Sequence, residues 1–275
     1  MTDNKFLHSI KEVYDSRKLI GNLAKNDFKR KFAGSYLGTI WAFIQPVVTV
    51  LVYWFVFQVA MPAARQSSEF PYVLWLVTGI VPWFFFQDAL TGGTNALLEY
   101  NYLVKKVVFQ IKVLPIVKVL SAIFVHVFFA GVMLVILAGY GRFPDLYTLQ
   151  IFYYTFCAFV LVLGISYATS AIVIFFRDLN PIINIIFQVG VWMVPIMWQL
   201  SVLEDKMVKH PWIEYVFKLN PMYYIIYGYR EATLFKVWFW ERPLLTAYFW
   251  IFTILMFLFG TRTFKKLKTH FADIL

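Results

Sequence analysis

The chain predicts an all-α polytopic membrane protein, and three observations carry that expectation. Of its 275 residues 61% are hydrophobic and 15% charged, with a mean hydropathy of +0.67, which lies outside the range of an ordinary soluble domain. The apolar residues fall into about six runs near the length a bilayer requires, roughly 20 residues at 1.5 Å each. The basic residues behind the net charge of +10 gather where those runs end, which is how membrane spans are oriented and not how nucleic acid is bound.

Residues 1–36 read as a cytoplasmic amphipathic interface helix. Lys11, Asp15, Lys18, Asn22, Lys25 and Lys29 recur at steps of four and three and form one stripe. Phe6, Ile10, Val13, Ile20, Ala24 and Phe28 fall opposite, with Arg17 an exception and Gly21 a weak point. Such a helix is expected to lie flat among headgroups. No compact apolar core with a small-residue cleavage site precedes the first span, so the start of the chain is expected to stay on the cytoplasmic side.

The first span, 39–60, follows almost without a spacer and is interrupted by Gln45 and Pro46. The carbonyl freed by that proline is expected to face protein. The second, 72–98, contains Pro82, the cluster Trp83, Phe84, Phe85 and Phe86, then Gln87 and Asp88. Asp88 lies about 24 Å along a helix from Tyr72, near enough to the cytoplasmic edge to reach water. The lysines of 99–112 mark a cytoplasmic turn, and Tyr102 to Phe109 suits a stubby helix. Spans 114–137 and 149–176 follow, the first with His126 as a packing group, the second with Gly164, Ser166, Thr169 and Ser170 for close helix approach. At the turn into 182–200, Asp178 or Asn180 is expected to cap the helix and Pro181 to open it.

From 201 to 242 the pattern changes to mixed charges among Trp and Tyr, with 212–219 and 221–229 apolar but too short to span. They are expected to be re-entrant helices of an external gate segment, held against protein or a cavity. The last span, 244–260, leads into Arg262, Lys265, Lys266 and Lys268, a basic tail that puts both termini in the cytoplasm.

Several chemistries have no footing in the sequence. It contains no P-loop, no nucleophile elbow and no His/Cys/Asp cluster at metal spacing, so neither a catalytic residue nor a metal is expected. The single cysteine, Cys157, excludes an intrachain disulfide. Aromatic surface is abundant. Much of it is an interfacial belt, but Trp54, Phe57, Trp83 and Phe86 are candidates for a path along which sugar rings stack and slide.

The segment DFKRKFAGSYLGTIWAFIQP (27–46) resembles the entry motif of permease subunits of ATP-binding-cassette exporters for polysaccharide, O-antigen and teichoic acid. TGIVPWFFFQDAL, NYLVKKVVFQIKVLP, FRDLNP, VPIMW and LNPMYYIIYGYREATL extend the resemblance along most of the chain, and YWFVF at Tyr53 leans toward the teichoic-acid branch. The resemblance implies a homodimer in the bacterial cytoplasmic membrane, working with two ATPase subunits that carry ATP and magnesium, and exporting an undecaprenyl-diphosphate-linked polymer. By that resemblance Asn101, Tyr102, Leu103, Val104, Lys105 and Lys106 form the ATPase coupling helix, while Lys29, Arg30 and Lys31 lie near the lipid diphosphate. Pro221, Tyr223, Tyr224 and Arg230 belong to the external gate. The alternatives are a drug or small-lipid exporter, a membrane-embedded glycosyl or phosphoryl transferase, and a structural scaffold.

Overall fold

The computed structural model describes residues 12–31, 36–60, 70–104 and 110–274. Phe6, Ile10, Lys11, Lys105 and Lys106 lie outside these residues. The described residues form helices and their connections without a strand, so the fold class expected from the sequence is the one found. In chain order the helices are α1 (Arg17–Lys31), α2 (Trp41–Phe55), α3 (Tyr72–Glu99), α4 (Asn101–Val104), α5 (Val113–Gly139), α6 (Gln150–Phe175) and α7 (Leu179–Met193). They continue with α8 (Glu204–Lys209), α9 (Trp212–Lys218), α10 (Pro221–Arg230), α11 (Pro243–Leu267) and α12 (Phe271–Ile274).

Among the described residues five helical stretches are long and apolar enough to cross a membrane: Gly38–Ala60, Tyr72–Glu99, Val113–Gly139, Tyr147–Phe175 and Pro243–His270. The sixth apolar run, read as 182–200, is a shorter helix. α7 has 15 residues, about 22 Å, and stops at Met193, where Val194 turns extended at ψ 125° ahead of Pro195. The chain then turns through 194–198, and the Trp198 carbonyl accepts from the Trp75 indole of α3 at 3.2 Å.

α3 is the centre of the bundle and packs against α5, α6, α10, α7 and α2. Its apolar window is 72% buried and that of 147–175 is 67% buried, against 6% for 38–60, so α3 and α6 are core while α2 stands at the periphery. Close approach is set by small residues. A methyl group on Gly93 of α3 would collide with Ser166 of α6, and one on Gly260 of α11 would strike the Gly164 carbonyl of α6. Cys157 and His126 are both buried in this core, His126 Nε2 lying 2.9 Å from the Tyr229 hydroxyl.

Cross-links define two ends of the bundle. At one, which we call the basic end, α1 lies against α5, and Lys31, Lys112 and Lys118 make ion pairs. The C-terminal ends of α3, α6 and α11 and the start of α7 meet there too, through Asn95–Asn180 and Tyr167–Phe264. At the other end α5 closes with Gly141 at φ 78°, and the Arg142 and Gly141 amides donate to the Leu137 and Ala138 carbonyls. That is a Schellman stop, for which glycine supplies the left-handed residue. Lys236 reaches Asp145 at 2.8 Å beside it.

The turn before α7 differs in detail from the sequence reading. Asp178 occupies the cap position without a side-chain capping bond, and Pro181 is the third helical residue. Asn180 is taken by Asn95, the two amides donating to each other at 2.9 and 3.2 Å. α10 starts as its sequence suggests: Asn220 accepts from the Met222 amide at 3.0 Å and Pro221 sits at the first position. Most of α10 is buried against α3, α6 and α11.

Candidate functional site

α2 and α7 both pack on α3, and three cavities run on from the basic end, the first and second sharing Lys31 and Asp88 and the second and third sharing Gln188. The first, about 250 Å³, is bounded by Asp27, Arg30, Lys31, Asp88, Asn95, Glu99, Tyr100 and Lys118. Its floor is a buried ion pair, Lys118 Nζ to Asp27 Oδ1 at 2.7 Å, with Glu99 as a second partner of Lys118. Tyr100 donates to Asp27 at 2.9 Å. Burial and the adjoining Asp27 carboxylate push the Tyr100 phenol above its ordinary pKa and keep it a neutral donor. Asp27 thus lies on the buried side of α1, and the helix is docked on α5 as well as amphipathic.

The second cavity, about 540 Å³, begins at the Lys31–Asp88 ion pair, which borders both. Aromatic rings and carboxamides alternate in its wall: Trp41, Gln45, Thr49 and Tyr53 from α2, Trp83, Gln87 and Asp88 from α3, Asn184, Phe187 and Gln188 from α7. Gln45 and Thr49 are one helical turn apart, as are Asn184 and Gln188, so each pair shares a face. Among the described residues the side-chain amides of Gln45, Gln87, Asn184 and Gln188 have no hydrogen-bond partner. Pro46 also borders this cavity, and Ala42, whose carbonyl the proline leaves without its helical donor, is buried. The third depression shares Gln188 and is apolar, with Phe57, Trp192, Met193, Trp198 and Phe217.

The proposed path residues separate on inspection. Trp83 lines the second cavity and seats on α7, where a methyl group added to Gly190 would come within 2.8 Å of its ring. Phe86 lies beneath, edge-on to Phe187 at 5.7 Å. Phe57 borders the third depression and meets Tyr72 at 5.8 Å. Trp54 is exposed on α2 and borders none of the three cavities, where its neighbour Tyr53 does. Of the basic triplet, Arg30 and Lys31 border the first cavity and Lys29 is exposed elsewhere on α1. Arg30 stands 5.9 Å from the Tyr100 ring.

Asn101 and Tyr102 are exposed on α4, Leu103 is half-buried and Val104 buried, so this turn is anchored to the bundle on one side and open on the other. In α10, Tyr223 stacks on Tyr227 at 4.2 Å and Tyr224 on Phe249 at 4.7 Å. Arg230 is wholly buried. Its guanidinium donates to the carbonyls of Pro195 at 2.8 Å and Ile196 at 3.0 Å, contacts that of Trp75 at 3.4 Å, and lies 3.6 Å from the Trp75 ring centroid. It therefore holds the backbone of the break that ends α7. Sequence reasoning did not find Asn184, Gln188, Lys118 or Glu99. The signal available for the first two was a pair of carboxamides four residues apart within an apolar run.

A family profile described as ABC-2 type transporter matches residues 18–234. The chain is 28% identical over 222 residues to the O-antigen export system permease protein RfbA of Myxococcus xanthus, covering 80% of this chain and 82% of that protein. It is 25% identical over 272 residues to a protein of the same name from Klebsiella pneumoniae, covering 98% and 99%. A second Klebsiella pneumoniae protein of that name is 24% identical over 272 residues, with the same coverage.

Proposed function

The chain belongs to the ABC-2 type transporter family, and from that premise we propose that it is the permease subunit of an ATP-driven exporter of O-antigen-type polysaccharide. The polymer is carried on an undecaprenyl-diphosphate lipid, and the basic end of the bundle faces the cytoplasm. A partner ATPase binds ATP and magnesium and seats against the exposed side of α4. O-antigen is preferred over teichoic acid because the three relatives are named for O-antigen export.

The observation that carries the reading is the wall of the second cavity. Unpartnered carboxamides on a lipid-facing helix are costly, so polar groups within spans point to a wet path. Gln45, Thr49, Asn184 and Gln188 do so while Trp41, Tyr53 and Trp83 supply flat faces beside them. Sugars need both: hydroxyls for the amides, and weakly polar ring faces for stacking. α2 and α7 also expose Val48, Leu51, Val52, Ile185, Ile186 and Val189, apolar surface suited to a second copy. Two such faces opposed across a dimer axis enclose the path.

Nothing in this wall is arranged for bond chemistry, so the permease binds and guides while the partner hydrolyses ATP. Closure of the ATPases displaces α4 and the end of α3, and α7, tied there by Asn95–Asn180, moves with them. α10 and the break held by Arg230 form the exit. Reconstitution with a partner ATP-binding-cassette ATPase tests this. Lipid-linked glycan is expected to stimulate ATP turnover and to cross the bilayer, and Gln45→Leu with Asn184→Leu and Gln188→Leu to cut transport about tenfold or more while assembly persists, since each amide lost removes about 0.5–1.5 kcal/mol of hydrogen bonding. Transport undiminished by the triple change would remove the basis of the proposal.

A further inference from the structure

The first cavity is lined by three carboxylates, Asp27, Asp88 and Glu99, and three cations, Arg30, Lys31 and Lys118. Their roles differ. Lys118 is committed, paired with both Asp27 and Glu99, and it and Asp27 are each 8% exposed. The Lys31–Asp88 pair is different: its side chains are 44% and 33% exposed, within reach of a ligand. The residues common to the first and second cavities are Lys31, Asp88, Thr91 and Ala122, so the charged groups of the partition are those of this pair. Lys31 ends α1 and Asp88 lies about 24 Å along α3 from Tyr72, near the headgroup level of a bilayer about 30 Å thick.

We propose that Asp88 is a resident counter-ion that occupies the substrate's place on Lys31, and that a lipid diphosphate opens the partition between the two cavities by displacing it. This rests on the lipid-diphosphate reading of the substrate above. A diphosphate carries more charge and more acceptor oxygens than a carboxylate. It engages Lys31 and Arg30 together through charge-assisted bonds, where Asp88 engages Lys31 alone among these two. Thr91 and Ser121 stand in the same wall as neutral donors. With the pair closed, the wet path is shut off from the charged cavity. With the pair exchanged, the head is held at the partition and the first sugar lies toward Trp83 and Gln45. Asp88 thereby sets both the threshold for the anionic head and the closure of the empty path.

Binding to the full chain in phosphatidylcholine nanodiscs tests the exchange, with radiolabelled undecaprenyl diphosphate as probe and undecaprenol and inorganic pyrophosphate as competitors. Asp88→Asn, which keeps shape and removes the competing charge, is expected to tighten binding about fivefold, the scale of a half-exposed ion pair. Lys31→Gln is expected to weaken it by a similar factor. In the double variant the gain from Asp88→Asn is expected to vanish, because the cation that Asp88 holds is no longer there to be released. Pyrophosphate is expected to compete and undecaprenol to fail, and the Asp88→Asn gain is expected against pyrophosphate alone if the exchange belongs to the diphosphate and not to the tail.

Unchanged or weaker binding in Asp88→Asn overturns the inference, as does a gain that persists without Lys31, which would be general electrostatics. If Asp88→Asn does not assemble, Lys31→Gln decides alone, and unaltered binding there sinks the proposal. Wild-type chain that binds the probe with no effect of Asp88 defeats the exchange and leaves the function standing. Wild-type chain that binds undecaprenol as tightly as the diphosphate defeats both.

Discussion

Arg230 carries a charge into the interior, where among the described residues no carboxylate pairs with it. Backbone carbonyls at 2.8 to 3.4 Å and the Trp75 face take that place. Such a cation is stable because the carbonyls of 195 and 196, left without helical partners by the break after α7, need donors as much as the guanidinium needs acceptors. Arg230→Gln is expected to destabilise the purified chain by about 2–3 kcal/mol, with Arg230→Lys intermediate because an ammonium neither forks nor stacks in the same way. Thermal unfolding in detergent reads this, and an unchanged midpoint for Arg230→Gln would show that the break is held by other contacts. Arg230 stood out in the sequence through the motif around it, yet its acceptors did not. They are main-chain groups 34 and 35 residues away, and main chain leaves no mark in composition. Lys118 was hidden for a related reason: one lysine in an apolar run looks like an edge residue until Asp27 is found opposite it.

Among the elements, α3, α5, α6 and α11 were legible because length and hydropathy suffice to name a span. α7 was not. Its apolar run continues to Leu200, but Pro195 and the turn at 194–198 end the helix early, and tertiary contacts with Arg230 decide where the chain goes next. The small residues of α6 were legible as packing residues, while their partners were not. Gly164 meets Gly260 of α11, and Gly93 of α3 meets Ser166, pairings that only the fold supplies. Gly260→Ala is expected to push α11 off α6 and to cost about 1–3 kcal/mol, because the obstacle is a main-chain carbonyl that cannot rotate away. Gly131, whose added methyl group meets open space, is the control, and Gly131→Ala is expected to leave the melting temperature near that of the parent. Equal losses for both would place the α6–α11 contact outside the limiting packing.

Across the whole molecule, composition revealed the membrane and aromatic abundance suggested a path, while the cavity now proposed for it is lined by residues that only the fold brings together. Trp54 and Tyr53 are adjacent in sequence and about 100° apart around α2, and which of them meets the cavity depends on where α3 and α7 lie. The amide ladder of α7 becomes meaningful once Gln45 and Thr49 are seen across from it. Within one chain the cavities then run from the charged one, past alternating rings and amides, to the apolar depression bordered by Phe57 and Trp192.

The central claim is that the α2–α7 face is wet, and the chain is suited to a direct measurement because its single cysteine, Cys157, is buried. With Cys157→Ala as background, cysteines placed at Asn184, Gln188 and Gln45 are compared with cysteines at Val135 and Phe152, which are exposed on α5 and α6. The assembled exporter is exposed to a charged, membrane-impermeant thiol reagent with and without lipid-linked glycan. The account predicts labelling at the three amide positions, protection by the glycan, and little reaction at Val135 and Phe152. Labelling of all five positions by lipid-soluble reagents alone would show that the face is turned to the bilayer and contradict the account.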